Sequence, residues 1–353
     1  MKSLIRKMAA VLTAMVTCGL LGSAQSRPSV DVDQVLSWFP AETDAINVAN
    51  GPFPLAGIRV VKREAENQEP DEPFGDAQLV QVFAAPAITR WTEADTVIAR
   101  RLRGEPVLLA VEGFHVPTRD HPTEHCSVLV FKRDSIDDKL LTPAAGPPLV
   151  PEDIDGRGFV VFEDKRLDSQ ASSFIIAHPR PNVLLISDNL SYLKRVLDRI
   201  HGAAGNRALP YSLPDWRYVN THARFWGLFH VPHPDPADDD ESDAQAFEQK
   251  IISMSYSFDP GDRTVRVTFF SKNHALFQEF QKDKENNAGI ELEKHVIPEF
   301  KEVDSGVVEM SALLKDWYDT ADFATTMGYF VPGFEVNWFE WVPALDAISP
   351  KNF

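Results

Sequence analysis

Apolar runs of strand length recur along this chain, separated by polar and proline-containing stretches. Gln78–Phe83 alternates apolar with polar and predicts a half-buried strand. Val107–Val111 and Cys126–Phe131 are nearly continuous apolar runs, predicting two strands joined by a long polar loop. Phe174–Ala177 turns through Pro179-Arg180-Pro181-Asn182 into Val183–Ser187. Ile251–Phe258 turns at Asp259-Pro260-Gly261-Asp262 and returns as Val265–Phe270. Asp44–Val48 and Ala223–Val231 read as further strands, and Val35–Pro40 as the end of a short helix or turn.

Helical spacing appears in three places. Val97, Ile98, Arg101 and Leu102 share a helical face, with Thr92 as N-cap and Asp95 three residues on. Leu190, Leu193, Val196, Leu197 and Ile200 line one face of a helix expected to start at Asp188. Leu276, Phe277 and Phe280 mark a helix expected from Ser271. Asp188 and Ser271 are read as N-caps, because their side-chain oxygens satisfy free helix amides.

The last two helices each follow a strand-turn-strand segment. The pattern predicts an α+β fold: antiparallel sheets with helices packed on one face, built from recurring strand-strand-helix units. Gly202–Asn206 with Pro210 and Pro214 suggests a boundary, giving domains at 25–210 and 211–353, the second with an aromatic-rich end. Pro143–Pro151 reads as a linker and Pro232–Asp243 as an acidic surface loop.

The N-terminus changes the charge and cysteine arithmetic. Lys2, Arg6 and Lys7 precede an apolar stretch from Met8 to Leu21, and Gly22-Ser23-Ala24 offers small residues for cleavage after Ala24. Residues 1–24 therefore read as a signal peptide, too short to span a bilayer comfortably. Cys18 is a poor lipidation site, because Thr17 stands where a small residue is wanted. The 353-residue chain carries 35 Lys+Arg and 52 Asp+Glu, net −17. Removing three basic residues leaves 32 against 52, or −20, with Cys126 the one remaining thiol. A disulfide within the mature chain is then excluded, and so is a basic face for nucleic acid. No later stretch reaches transmembrane length without charges, so the expectation is a soluble exported protein, periplasmic or extracellular.

Candidate chemistry is sparse. His115, His121 and His125, beside Cys126, offer soft donors for zinc within a dozen residues, though in no compact known spacing. His222 and His230 fall eight apart on one expected strand, too far to share an ion, which leaves His230 with His233. Asp238 and Asp240, within the acidic loop, offer hard oxygens for calcium but lack the pattern of an EF-hand. No cofactor is expected beyond weakly held calcium or zinc. Ser191-Tyr192-Leu193-Lys194 matches S-x-x-K, but Ser187-Asp188-Asn189 precedes it in the wrong order and no Lys-Thr-Gly follows. Phosphate-binding, dinucleotide, nucleophile-elbow and H-E-x-x-H motifs are missing.

Trp317, Tyr318, Phe323, Tyr329, Phe330, Phe334, Trp338, Phe339 and Trp341 crowd the C-terminal region. Such rings form a core, a protein interface or a carbohydrate platform. Glu335 and Glu340 among them are the candidate carboxylates of a hydrolase acting on carbohydrate or another envelope substrate. The leading expectation is a non-enzymatic binding or structural module of the bacterial envelope or exterior. The competing ones are that hydrolase and a metal-binding exported protein.

Overall fold

The computed structural model describes residues 30–54, 102, 104–115, 124–132, 150–153, 160–164, 174–187, 189–203, 205–230, 251–259, 263–271, 274–287 and 298–314. Twelve strands in these segments form one sheet. They are β1 (Ala45–Pro54), β2 (Pro106–His115), β3 (Glu124–Phe131), β4 (Val150–Asp153), β5 (Val160–Asp164) and β6 (Phe174–Arg180). The chain continues with β7 (Val183–Ser187), β8 (Phe225–His230), β9 (Ile251–Asp259), β10 (Thr264–Ser271), β11 (Glu299–Asp304) and β12 (Val307–Leu313). Their order is β11-β12-β10-β9-β8-β1-β2-β3-β7-β6-β5-β4, and every neighbouring pair is antiparallel. Central β1 bonds β2 on one side and β8 on the other, so strands from either side of residue 210 share this sheet.

This overturns the α+β expectation. The helices α1 (Val32–Trp38), α2 (Leu190–Ile200) and α3 (Leu276–Asn287) have only 7, 11 and 12 residues. They do not form a layer on one face either. Leu193, Val196 and Leu197 of α2 join a core with Ile46, Val48, Val111, Val128, Leu185, Trp226 and Leu228. On α3, Phe280 stacks instead on Phe269, with ring centroids 5.3 Å apart. Phe269 stands opposite Met254, Met254 opposite Phe229, and Phe229 opposite Ala45. Ala45 neighbours Ile46, and successive strand residues point to opposite faces, so α2 and α3 pack on opposite sides. The strand-strand-helix segments exist, but hairpin pairing carried strand to strand builds the fold, and the helices only cover parts of it.

Both faces are apolar where they are covered. We call the side carrying α1 and α2 the helix face. α1 starts at Asp31, whose carboxylate accepts the Gln34 amide at 2.8 Å, and ends before Pro40. Phe39 then lies flat over Gly113, where any Cβ would sit 2.5 Å from the ring. The N-cap of α2 is Asn189 rather than the expected Asp188, its side chain accepting the Tyr192 amide at 2.9 Å. Ser271 is no cap: it ends β10, its amide donating to the Gly306 carbonyl. The strand at 78–83 and the helix residues 92–101 lie outside the described residues, as does the leader.

Candidate functional site

Polar residues gather where five strands end on the helix face. His115 closes β2 opposite Glu124 on β3. Asp44 immediately precedes β1, its amide donating to the Phe114 carbonyl and its carbonyl accepting the His230 amide, each at 2.8 Å. His230 closes β8 and stands opposite Ser253 on β9. Register thus sets Glu124, His115, Asp44, His230 and Ser253 in one row across β3-β2-β1-β8-β9. Arg195 of α2 reaches it from above, bonding Glu42 at 2.8 Å and also Glu124.

Within the row, His115 Nδ1 meets Asp44 Oδ2 at 2.9 Å, and both side chains are about one-fifth exposed. A carboxylate so placed fixes the tautomer and orientation of an imidazole. Among the described residues no serine, cysteine or lysine hydrogen-bonds to His115.

The other half of the row is covered by a short 3-10 turn, Pro214–Tyr218, entered through Pro214 at its first position. Trp216 anchors it twice, its ring packing edge-on against Trp226 and its Nε1 donating to the Leu209 carbonyl at 2.9 Å. Tyr218 lies against Phe270, whose neighbour in the row is Ser253. Arg217 and Tyr218 also hold Asp304, and the Ser305 amide, followed by Tyr218, keeps that carboxyl below the usual carboxylate range. Asp215 points in toward His230, with Oδ2 3.9 Å from Nδ1. The turn therefore straddles Ser253, with Asp215 on one side and Tyr218 on the other.

Here the polar accounting fails to close. Asp215 is 3% exposed and Ser253 1%. Among the described residues neither carboxylate oxygen of Asp215, nor His230 Nδ1, nor Ser253 Oγ has a hydrogen-bond partner. A separation of 3.9 Å is too long for a direct hydrogen bond.

A second buried polar strip crosses the opposite face and is satisfied in part. Ser127, Glu112, Asn47 and Tyr256 follow one another in register across β3, β2, β1 and β9, with Gly227 of β8 between the last two. The Ser127 hydroxyl donates to Glu112 at 3.2 Å, and Tyr256 crosses the bare Gly227 to donate to Asn47 Oδ1 at 3.1 Å. Burial first, and then the Glu112 carboxylate, push the Tyr256 phenol well above its ordinary value. This strip is sealed inside the sheet and holds strands together.

The residues picked from sequence fare unevenly. His115 belongs to the row, paired with Asp44. His125 stands opposite Phe114 on the other face, with ring centroids 6.1 Å apart. His115 and His125 therefore point away from each other. His121, Asp238, Asp240, Glu335 and Glu340 lie outside the described residues, as do the C-terminal aromatics. Among the described residues no three His, Cys, Asp or Glu side chains converge to hold a metal ion. Asp44, Asp215 and Ser253 escaped sequence reading because pairing between distant strands is what assembles them. The available signal was weak: a polar residue at the same end of several apolar runs.

Among the described residues no helix is long and apolar enough to cross a membrane. No protein-family model matches this chain, and no curated protein does. Among solved structures it is similar to TP0453. Crystal form I shows 9% identity and a TM-score of 0.43, covering 86% of this chain and 99% of that one. Crystal form III gives 9% and 0.42, covering 82% and 97%. Form IV gives 8% and 0.41, covering 83% and 95%. Likeness at this level carries no argument about what the chain does.

Proposed function

We propose that this chain is an exported binding module without catalytic activity, and that its ligand is held beneath the 3-10 turn by Asp215, His230 and Ser253. The observation that carries this reading is the burial, in one place, of four polar atoms with no hydrogen-bond partner among the described residues. A buried hydroxyl without a hydrogen bond costs about 1–3 kcal/mol, and an unpaired buried carboxylate costs more. Folded chains satisfy nearly all such groups, and the exceptions are sites where ordered water, an ion or a ligand supplies the partner. Export rests on the basic and then apolar leader at residues 1–24. The acidic balance opposes nucleic acid as the ligand. The aromatic stretch from Trp317 to Trp341 has the composition of a second contact surface, for protein or carbohydrate.

Asp, His and Ser are also the residue types of an acyl-transfer triad, and the geometry separates the two readings. A triad needs the carboxylate bonded to the imidazole and the imidazole bonded to an accessible hydroxyl. Asp215 stands 3.9 Å from His230, and Ser253 is buried with no hydrogen bond to its hydroxyl among the described residues. The full chain is therefore expected to turn over nothing in a panel of chromogenic esters and glycans. Hydrolysis that disappears in Ser253→Ala, His230→Ala, Glu335→Gln or Glu340→Gln would overturn the non-enzymatic reading.

A further inference from the structure

We infer that the group held beneath the turn is a primary ammonium, carried by a small amine, a lysine side chain or a peptide N-terminus. The inference rests on the reading of this site as a binding site and names the chemistry it selects. Every unpartnered atom there can accept a hydrogen bond: two carboxylate oxygens, one hydroxyl oxygen and an imidazole nitrogen in its Nε2–H tautomer. No arginine or lysine pairs with Asp215 among the described residues. An anion would meet a buried carboxylate with only the Ser253 hydroxyl as a donor to offset it. An alkylammonium has three N–H donors and no acceptor, matching a site whose orphaned atoms can all accept.

Distance and access agree with that choice. A nitrogen at ordinary hydrogen-bond length from both Asp215 Oδ2 and His230 Nδ1 fits between atoms 3.9 Å apart. Ser253, next in register to His230 and under the same turn, supplies a third acceptor. The His230 side chain is 33% exposed while Asp215 and Ser253 are sealed, so the site opens past the imidazole. A formal charge of −17 over the chain draws cations toward it. A zinc ion would need at least three protein ligands, and no such set converges among the described residues.

The test is an NMR titration of the full chain, following the His230 ring signals, with methylammonium, tetramethylammonium and zinc in separate arms. Methylammonium should shift His230 saturably. Tetramethylammonium, which has no N–H, should not. Asp215→Asn should weaken methylammonium by about tenfold or more, the loss of one charge-assisted contact. Ser253→Ala, a milder change, should weaken it less and serves if Asp215→Asn does not fold. Nα-acetyl-lysine amide and glycine amide then separate side-chain from chain-end ammonium by which binds more tightly. Absence of a His230 shift with any ammonium ion, or an equal shift with tetramethylammonium, would overturn the inference. A zinc response at His230 that Asp215→Asn abolishes, without an ammonium response, would also overturn it while leaving the binding-module reading in place.

Discussion

Trp226→Ala should cost about 3–5 kcal/mol of unfolding free energy, the range for emptying a large aromatic from a packed core. Trp226 is fully buried near the start of β8, the strand that joins β1 to β9. Its ring meets Trp216 at 6.0 Å between centroids and belongs to the cluster packed against α1 and α2. One substitution thus removes the anchor of the 3-10 turn and part of the main core. Its indole N–H has no hydrogen-bond partner among the described residues, so Trp226→Phe should cost much less. Urea unfolding followed by far-UV circular dichroism reads both values. If alanine and phenylalanine prove equally mild, Trp226 is not the keystone of this half of the sheet.

Gly227→Ala, one residue on, should be nearly as damaging for the opposite reason. An added Cβ would lie 2.2 Å from Tyr256 Cε1, 2.8 Å from Asn47 Oδ1 and 2.8 Å from the Ile46 carbonyl oxygen. The backbone cannot yield in a strand bonded on both sides, so the Tyr256 ring must move. Its bond to Asn47 breaks, leaving that buried amide unsatisfied. Overpacking costs about 1–3 kcal/mol and the orphaned polar group about 1–3 kcal/mol more. The double variant Gly227→Ala/Tyr256→Ala should lose less than the two singles added together, because the second change removes the clash made by the first. Strict additivity in the same urea experiment would contradict the steric account.

Much of the local structure is legible in the sequence. The apolar runs at 107–111, 126–131, 183–187 and 265–270 all fall within strands, and the spacing from Leu190 marks α2. What escapes is whatever distant pairing decides. β4 carries Pro151 and β11 reads Glu-Phe-Lys-Glu-Val-Asp, so neither shows clean alternation; both are edge strands, where proline and charge guard against pairing with other chains. The joining of strands from both sides of residue 210 depends on β1 meeting β8, a pairing of residues 176–184 apart in sequence, from Ala49 with Phe225 to Ala45 with Phe229. Strand-turn-strand-helix order looked like an α+β repeat because sequence order does not say which face a helix covers. The site is hidden for the same reason. His115 and His230 stand out in the sequence as candidate ligands, but Asp44 and Ser253 do not, and only register sets the four in one row.

The claim that matters most is that Asp215 and Ser253 serve a ligand at the expense of the fold. Reversible urea unfolding of the full chain beside Asp215→Asn and Ser253→Ala tests it most directly, because the two roles predict opposite signs. If the site is kept for binding, Asp215→Asn should stabilise the ligand-free protein by about 1–3 kcal/mol, since it removes a buried carboxylate that no hydrogen bond from the described residues satisfies. Ser253→Ala should be neutral or slightly stabilising, as its hydroxyl forms no hydrogen bond among the described residues. A loss of about 1 kcal/mol or more in either variant would mean that these side chains hold the structure together, and the binding site proposed here would have to be abandoned.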